Sequence, residues 1–174
     1  NGLAALLKAG RVRKIICSFP KTANSHVFDS LYAAKEIELE LVPQGTLAER
    51  LRCAGAGLGG FFTPTGVGTP IAQGKRTEVI NGREFLFETP LPAEFALIQA
   101  DAADRWGNLT YRKTARNFNP MAITAGRIAV VEVEEIVEVG QLDPDEIHLP
   151  GIYVNRLIQG TFEKAIEQRT VRSA

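Results

Sequence analysis

The stretch from Ile37 to Thr69 restricts the possible folds of this 174-residue chain more than any other segment. Ile37-Glu38-Leu39-Glu40-Leu41-Val42 alternates with period two, the pattern of a half-buried strand. Pro43-Gln44-Gly45 stops that strand. Thr46-Leu47-Ala48-Glu49 then has the residues of a capping box, in which Thr46 accepts the N–H of Glu49 and Glu49 reaches back to the N–H of Thr46. A helix is predicted to continue through Leu51 and Arg52. Strand, polar turn and capped helix in this order form an α/β unit, whose functional residues gather at the C-terminal ends of strands.

A glycine-rich run follows. Between Gly55 and Thr69 there are six glycines and one proline in fifteen residues. Glycine lets a ligand approach the main chain and makes a positive φ cheap. The run is therefore either a set of structural turns or a cradle of bare N–H groups for an anionic or carbonyl oxygen. It lacks the Gly-Lys-Ser/Thr ending of a phosphate-binding P-loop. It also follows a helix, whereas a dinucleotide fingerprint lies between a strand and a helix.

The other elements repeat the α/β theme. Helices are expected over Ala4–Lys8, Val27–Ala34 and Pro120–Ala125, the last with proline in its first turn. Arg11–Ser18, Phe95–Ala100 and Ile128–Val137 read as strands, and Leu109–Tyr111 as a short one. Asn81-Gly82, between two alternating runs over residues 76–88, is the strongest two-residue hairpin signal. The expected fold is α/β, with a mostly parallel sheet flanked by helices and an inserted β-hairpin, as one domain over residues 1–174. The opening Asn1-Gly2 runs straight into a helix, so a preceding N-terminal segment is expected to be missing.

Twenty Lys and Arg balance twenty Asp and Glu, which gives no electrostatic case for nucleic acid or an anionic membrane as partner. No apolar run approaches the roughly 20 residues that span a bilayer. Cys17 and Cys53 lack metal-type spacing and read as reduced thiols of a cytoplasmic protein. His26 and His148 lie far apart in sequence, so neither a metal site nor a histidine-based triad is expected.

Two polar groupings remain. Gln44, beside Gly45 at a strand end, can donate an amide N–H to a substrate oxygen without adding charge, or can serve the turn backbone. Arg112, Lys113 and Arg116, with Asn117 and Asn119, could hold a carboxylate or phosphate, or form a solvated face. Glu132, Glu134 and Glu135 read as the solvent face of a strand. The chain offers no nucleophile and base pair of its own. It is therefore a binding module, or its reactive residue comes from another chain.

Several long strings coincide with one family. They are Val42-Pro43-Gln44-Gly45-Thr46-Leu47-Ala48-Glu49-Arg50, the run from Phe61 to Thr69, the run from Gly107 to Pro120, Val131–Val137 and Pro150-Gly151-Ile152-Tyr153-Val154. In this order they resemble the A (alpha) subunit of the family I 3-oxoacid CoA-transferases, over nearly the whole chain. Cys17-Ser18-Phe19-Pro20 and Val27–Tyr32 look more like the 3-oxoadipate enzymes.

The resemblance implies a CoA-transferase fold of the sugar-phosphate-isomerase-like type. It also implies transfer of CoA from succinyl-CoA to a 3-oxo acid, through a glutamyl-CoA thioester on a partner B subunit, in an A2B2-type hetero-oligomer. It implies no permanently bound cofactor, because the coenzyme A thioester is a substrate. Gln44 matches the family's active-site glutamine. Gly45, Gly66, Val67, Gly68, Lys113, Asn117 and Asn119 are the expected pocket residues, with no metal. The family's Gly-Gly-Phe-Gly motif and a nearby Asn-containing strand end do not occur in these residues. Acetoacetate- or acetate-specific CoA transfer, and a non-catalytic metabolite-binding domain on a related fold, are the competing readings.

Overall fold

The computed structural model describes residues 3–20 and 26–160. Helix α1 (Leu3–Lys8) ends at Gly10, whose φ of 64° is the left-handed stop expected of a glycine. Strand β1 (Lys14–Cys17), helix α2 (Val27–Ala33) and strand β2 (Glu38–Leu41) follow. β1 and β2 pair in parallel, with Lys14 opposite Glu38 and Cys17 opposite Leu41. Leu7, Phe28 and Ile37 bury together beneath them.

Helix α3 spans Gln44–Gly55 and begins two residues before the expected cap. Pro43 occupies the N-cap with φ −52°, and no side chain caps the helix. The capping box is therefore not formed. Proline already holds a φ suited to helix entry, so the helix is under way when Thr46 is reached. Thr46 is buried inside the first turn, and Glu49 instead takes both nitrogens of an Arg52 fork, at 2.5 and 2.8 Å. Gln44 is thus the first helical residue, not a turn residue.

The glycine-rich run is divided by a strand, β3 (Phe61–Thr63), that periodicity does not reveal in three residues. The hairpin of β4 (Thr77–Ile80) and β5 (Arg83–Glu88) turns at Asn81 and Gly82, with φ of 51° and 76°. Both positive values are what a type I′ turn requires. β5 lies between β3 and β4 in an antiparallel sheet, so the hairpin and the glycine-rich segment form one unit.

The largest sheet contains β6 (Ala93–Asp104), β7 (Leu109–Thr110), β8 (Gly126–Val137) and β9 (Arg156–Gln159). Helix α4 (Asn119–Ala125) leads into β8. Strand order is β7-β6-β8-β9, with β6, β8 and β9 parallel and only β7 antiparallel. The expected parallel sheet is therefore present, but its strands are shared between two sheets. Ala96, Ile98 and Ala100 of β6 alternate into the core beside Ala129, Val131 and Val133 of β8, closed by Ile123 of α4. A Cβ at Gly126 would lie 2.6 Å from the Cβ of Ala96, so the entry to β8 requires glycine.

β6 is twelve residues long, yet β7 pairs only with Ala102 and Ala103. From Ala93 to Asp101 the edge away from β8 has no backbone partner among the described residues. Phe95 is 53% and Leu97 78% exposed on the uncovered face. A long, apolar, unpaired edge is the kind that another strand covers.

Candidate functional site

α3 carries the first cleft. Gly45, Thr46 and Glu49 form one wall, and Phe61, Phe62, Thr63 and Thr65 the other, around about 360 Å³. Gln44 is not among the lining residues; it precedes Gly45 at the helix start, exposed, and its amide makes no hydrogen bond among the described residues. A Cβ at Gly45 would meet no atom within 4 Å, so packing does not select the glycine; its absence of a side chain leaves the cleft open. Glu49 is the single carboxylate lining the cleft among the described residues. Arg52 engages both its oxygens and holds its carboxyl below the usual value. Engaged in this way it is a poor free nucleophile.

The far wall depends on a turn over residues 65–68. Gly66 and Gly68 have φ of 94° and 73°, and Val67 donates to the Pro64 carbonyl at 3.3 Å. At Gly66 a side chain would also press on Ile71 and Leu86, at 3.1 and 3.3 Å. Gly66, Val67 and Gly68 are not among the residues that line the cleft, whereas Thr63 and Thr65 are. The two threonines carry no signal in the sequence beyond their place beside the glycines.

Lys113 and Asn119 lie elsewhere, in a second cleft with Gln99, Asp101, Tyr111, Arg112 and Glu134. Arg112 is committed there: its guanidinium binds Asp101 at 2.5 Å and Glu134 at 3.2 Å. Lys113 has no ionic partner among the described residues. Its φ of 53° and the 37° of Asn117 mark a tight left-handed loop. Asn117 is exposed, and the Asn119 amide donates to the Ala115 carbonyl at 3.1 Å. The expected site residues thus fall into two separate places.

Tyr111 was not among the expected site residues. It is buried, and its hydroxyl has no partner among the described residues. Burial pushes its ionisation up to about 12, so it is a neutral donor at physiological pH. His148 is structural: its Nδ1 accepts the Tyr111 backbone N–H at 3.0 Å. Cys17 and Cys53 are free thiols, and burial raises both pKa values. No cluster of metal-ligating side chains and no helix long and apolar enough to cross a membrane occur among the described residues.

The model of the coenzyme A transferase family matches residues 1–160 of this α/β chain. The chain belongs to that family. It is 58% identical to the A subunit of 3-oxoadipate CoA-transferase of Pseudomonas putida, over 90% of this chain and 68% of that protein. It is 55% identical to the A subunit of succinyl-CoA:3-ketoacid coenzyme A transferase of Xanthomonas campestris pv. campestris, over 98% of this chain and 70% of that protein. Among solved structures, the apoenzyme of an acyl-CoA transferase from Escherichia coli O157:H7 superposes with a TM-score of 0.81 at 23% identity. That match covers 92% of this chain, which spans only 34% of the structure's chain, and it establishes the fold.

Proposed function

We propose that this chain is the A-type subunit of a CoA-transferase that moves CoA from succinyl-CoA to a 3-oxo acid, with 3-oxoadipate as the favoured acceptor. The observation that carries this reading is the cleft at the start of α3, with the exposed and unengaged Gln44 amide one residue before its Gly45, in a chain of this family. The 58% identity to a protein named for 3-oxoadipate supports the acceptor.

The nucleophile is a glutamate of a partner B subunit. Its carboxylate oxygen attacks the succinyl-CoA carbonyl and expels the CoA thiolate, leaving a mixed anhydride. The thiolate then attacks the glutamyl carbonyl, releasing succinate and leaving a glutamyl-CoA thioester. The 3-oxo acid carboxylate runs the same two steps in reverse. One difficult acyl transfer is thereby divided into easier ones. The Gln44 N–H donates to the substrate oxygen that gains charge, and Gly45 leaves the backbone accessible beside it. The chain is neutral overall, so local donors must hold the substrate. Lys113, without an ionic partner among the described residues, is available for a carboxylate at the second cleft, apart from Gly45.

Two features support a site completed by other chain segments. The one carboxylate lining the cleft among the described residues is tied to Arg52, and β6 has an open edge beside exposed Phe95 and Leu97. The assembly is of A2B2 type, and two free thiols accord with a cytoplasmic setting.

Gln44→Ala tests the assignment. The side chain is exposed at the first helical position, so thermal stability should stay within about 0.5 kcal/mol of the parent. Loss of one donor to a developing charge should lower kcat by about 10- to 100-fold, or ~1.4–2.8 kcal/mol. An unchanged kcat removes Gln44 from the site.

A further inference from the structure

We infer that Lys75 and Glu88 are positioning residues for the cleft. Their part-buried ion pair braces the backbone ring between β3 and β4 and so holds Thr63 and Thr65 opposite Gly45.

The ring can be followed atom by atom. The Thr65 N–H donates to the Thr63 hydroxyl at 3.2 Å. The Thr69 N–H and hydroxyl both donate to the Gly66 carbonyl, at 3.1 and 2.7 Å. The Ala72 N–H donates to the Thr69 carbonyl at 3.0 Å, and the Lys75 N–H to the Ala72 carbonyl at 3.1 Å. The Lys75 ammonium then reaches Glu88 Oε1 at 2.5 Å. Glu88 stands opposite Phe61 across the β3–β5 ladder, and Phe61 begins the strand that leads back to Thr63. The backbone closes the ring at both ends, since Phe61 pairs with Glu88 and the Arg76 carbonyl accepts the Phe87 N–H at 2.8 Å; the ion pair is the side-chain link that braces the loop between those ends.

The pair's chemistry points the same way. The Glu88 side chain is 3% exposed and that of Lys75 28%. A buried ion pair adds little stability over an apolar pair of similar volume, because desolvation offsets the attraction. Its directional, charge-matched contact instead selects one position of the segment. Gly60, just before β3, is gripped by the same strand: a Cβ there would lie 2.6 Å from the Glu88 carbonyl. Substrate atoms in the cleft would meet a wall already in place, which lowers the ordering cost of binding.

This inference rests on the proposed function for its kinetic consequence, but its structural part is measurable without turnover. The test uses Lys75→Met/Glu88→Leu, which exchanges the ion pair for apolar groups of similar size, together with the charge reversal Lys75→Glu/Glu88→Lys. In the first variant the melting temperature should not fall. Backbone amides of residues 66–69 should exchange at least tenfold faster, and KM for the 3-oxo acid should rise at least fivefold with kcat within twofold. The reversal should restore part of both the protection and KM. Unchanged amide exchange and KM in a folded apolar variant would make the pair merely structural and overturn the inference. If the parent protein with its partner subunit transfers no CoA, the proposed function fails. The exchange rates would still report on the ring.

Discussion

Arg50→Ala should loosen the helix that carries the cleft from the rest of the fold. The Arg50 guanidinium is buried, although charged, because two elements converge on it. Its Nε donates to the Thr89 carbonyl and its Nη1 to Glu40 of β2, each at 2.8 Å. Its own carbonyl accepts the Leu91 N–H at 3.0 Å. Alanine would leave the Thr89 carbonyl without its donor, at a cost of about 1–3 kcal/mol. The ion pair with Glu40 adds up to about 1 kcal/mol, since Glu40 is a third exposed and keeps Lys14 at 2.6 Å. The truncated stem adds roughly 1 kcal/mol of lost burial. A total near 3 kcal/mol should lower the melting temperature by roughly 6–12 °C for a domain of this size. Urea titration of parent and variant should show a lower midpoint at constant slope. Arg50→Lys should fall between them, because an ammonium lacks the fork that serves both partners. A loss below about 1 kcal/mol for Arg50→Ala would refute the account of Arg50 as the tie between α3, β2 and the Thr89–Leu91 segment.

Three further outcomes follow from particular groups. Lys14, then Arg50, holds the Glu40 carboxyl below its ordinary value of 4.5 in the folded chain. The unfolded chain therefore takes up that proton first; Glu40's contribution is complete above pH 4.5 and is lost as the pH falls through its folded value. Acid titration of stability should accordingly be shallower in Arg50→Ala than in the parent. Tyr111→Phe removes a buried hydroxyl with no partner among the described residues and should leave stability unchanged or raise it by up to about 1 kcal/mol, read from the same urea curves. A loss above about 1 kcal/mol would show that the hydroxyl is bonded in solution. Gly60→Ala combines a φ of 137° with a clash against Phe87 and Glu88 and should cost about 2 kcal/mol or more, measured by urea titration.

What the sequence conveyed and what it withheld divide along the range of the interactions. The Asn81-Gly82 hairpin was legible because two adjacent residues supply both positive φ values. Gly10 as a stop, the alternation that became β2, the apolar run inside β6 and the strand that became β8 were legible for the same local reason. The capping box had the right residues, but Pro43 started the helix earlier. β3 was hidden inside the glycine-rich run because its three residues owe their extended form to pairing with β5. The site divides similarly. Gln44 and Gly45 could be named from a strand end. The commitment of Arg112 to Asp101 and Glu134 depends on chain segments 11 and 22 residues away. The Lys75–Glu88 link likewise spans a turn and a hairpin, and no spacing rule announces it.

The central claim is that this chain supplies half of an acyl-transfer site and no nucleophile. Its most direct test is CoA exchange between succinyl-CoA and 3-oxoadipate, measured with this chain alone and with its co-purified B-type chain, alongside intact-mass analysis of both after incubation with succinyl-CoA. Exchange should occur only with both chains present, with a covalent CoA adduct on the partner and none here. Absence of exchange with the partner present, or an adduct on this chain, would contradict the claim.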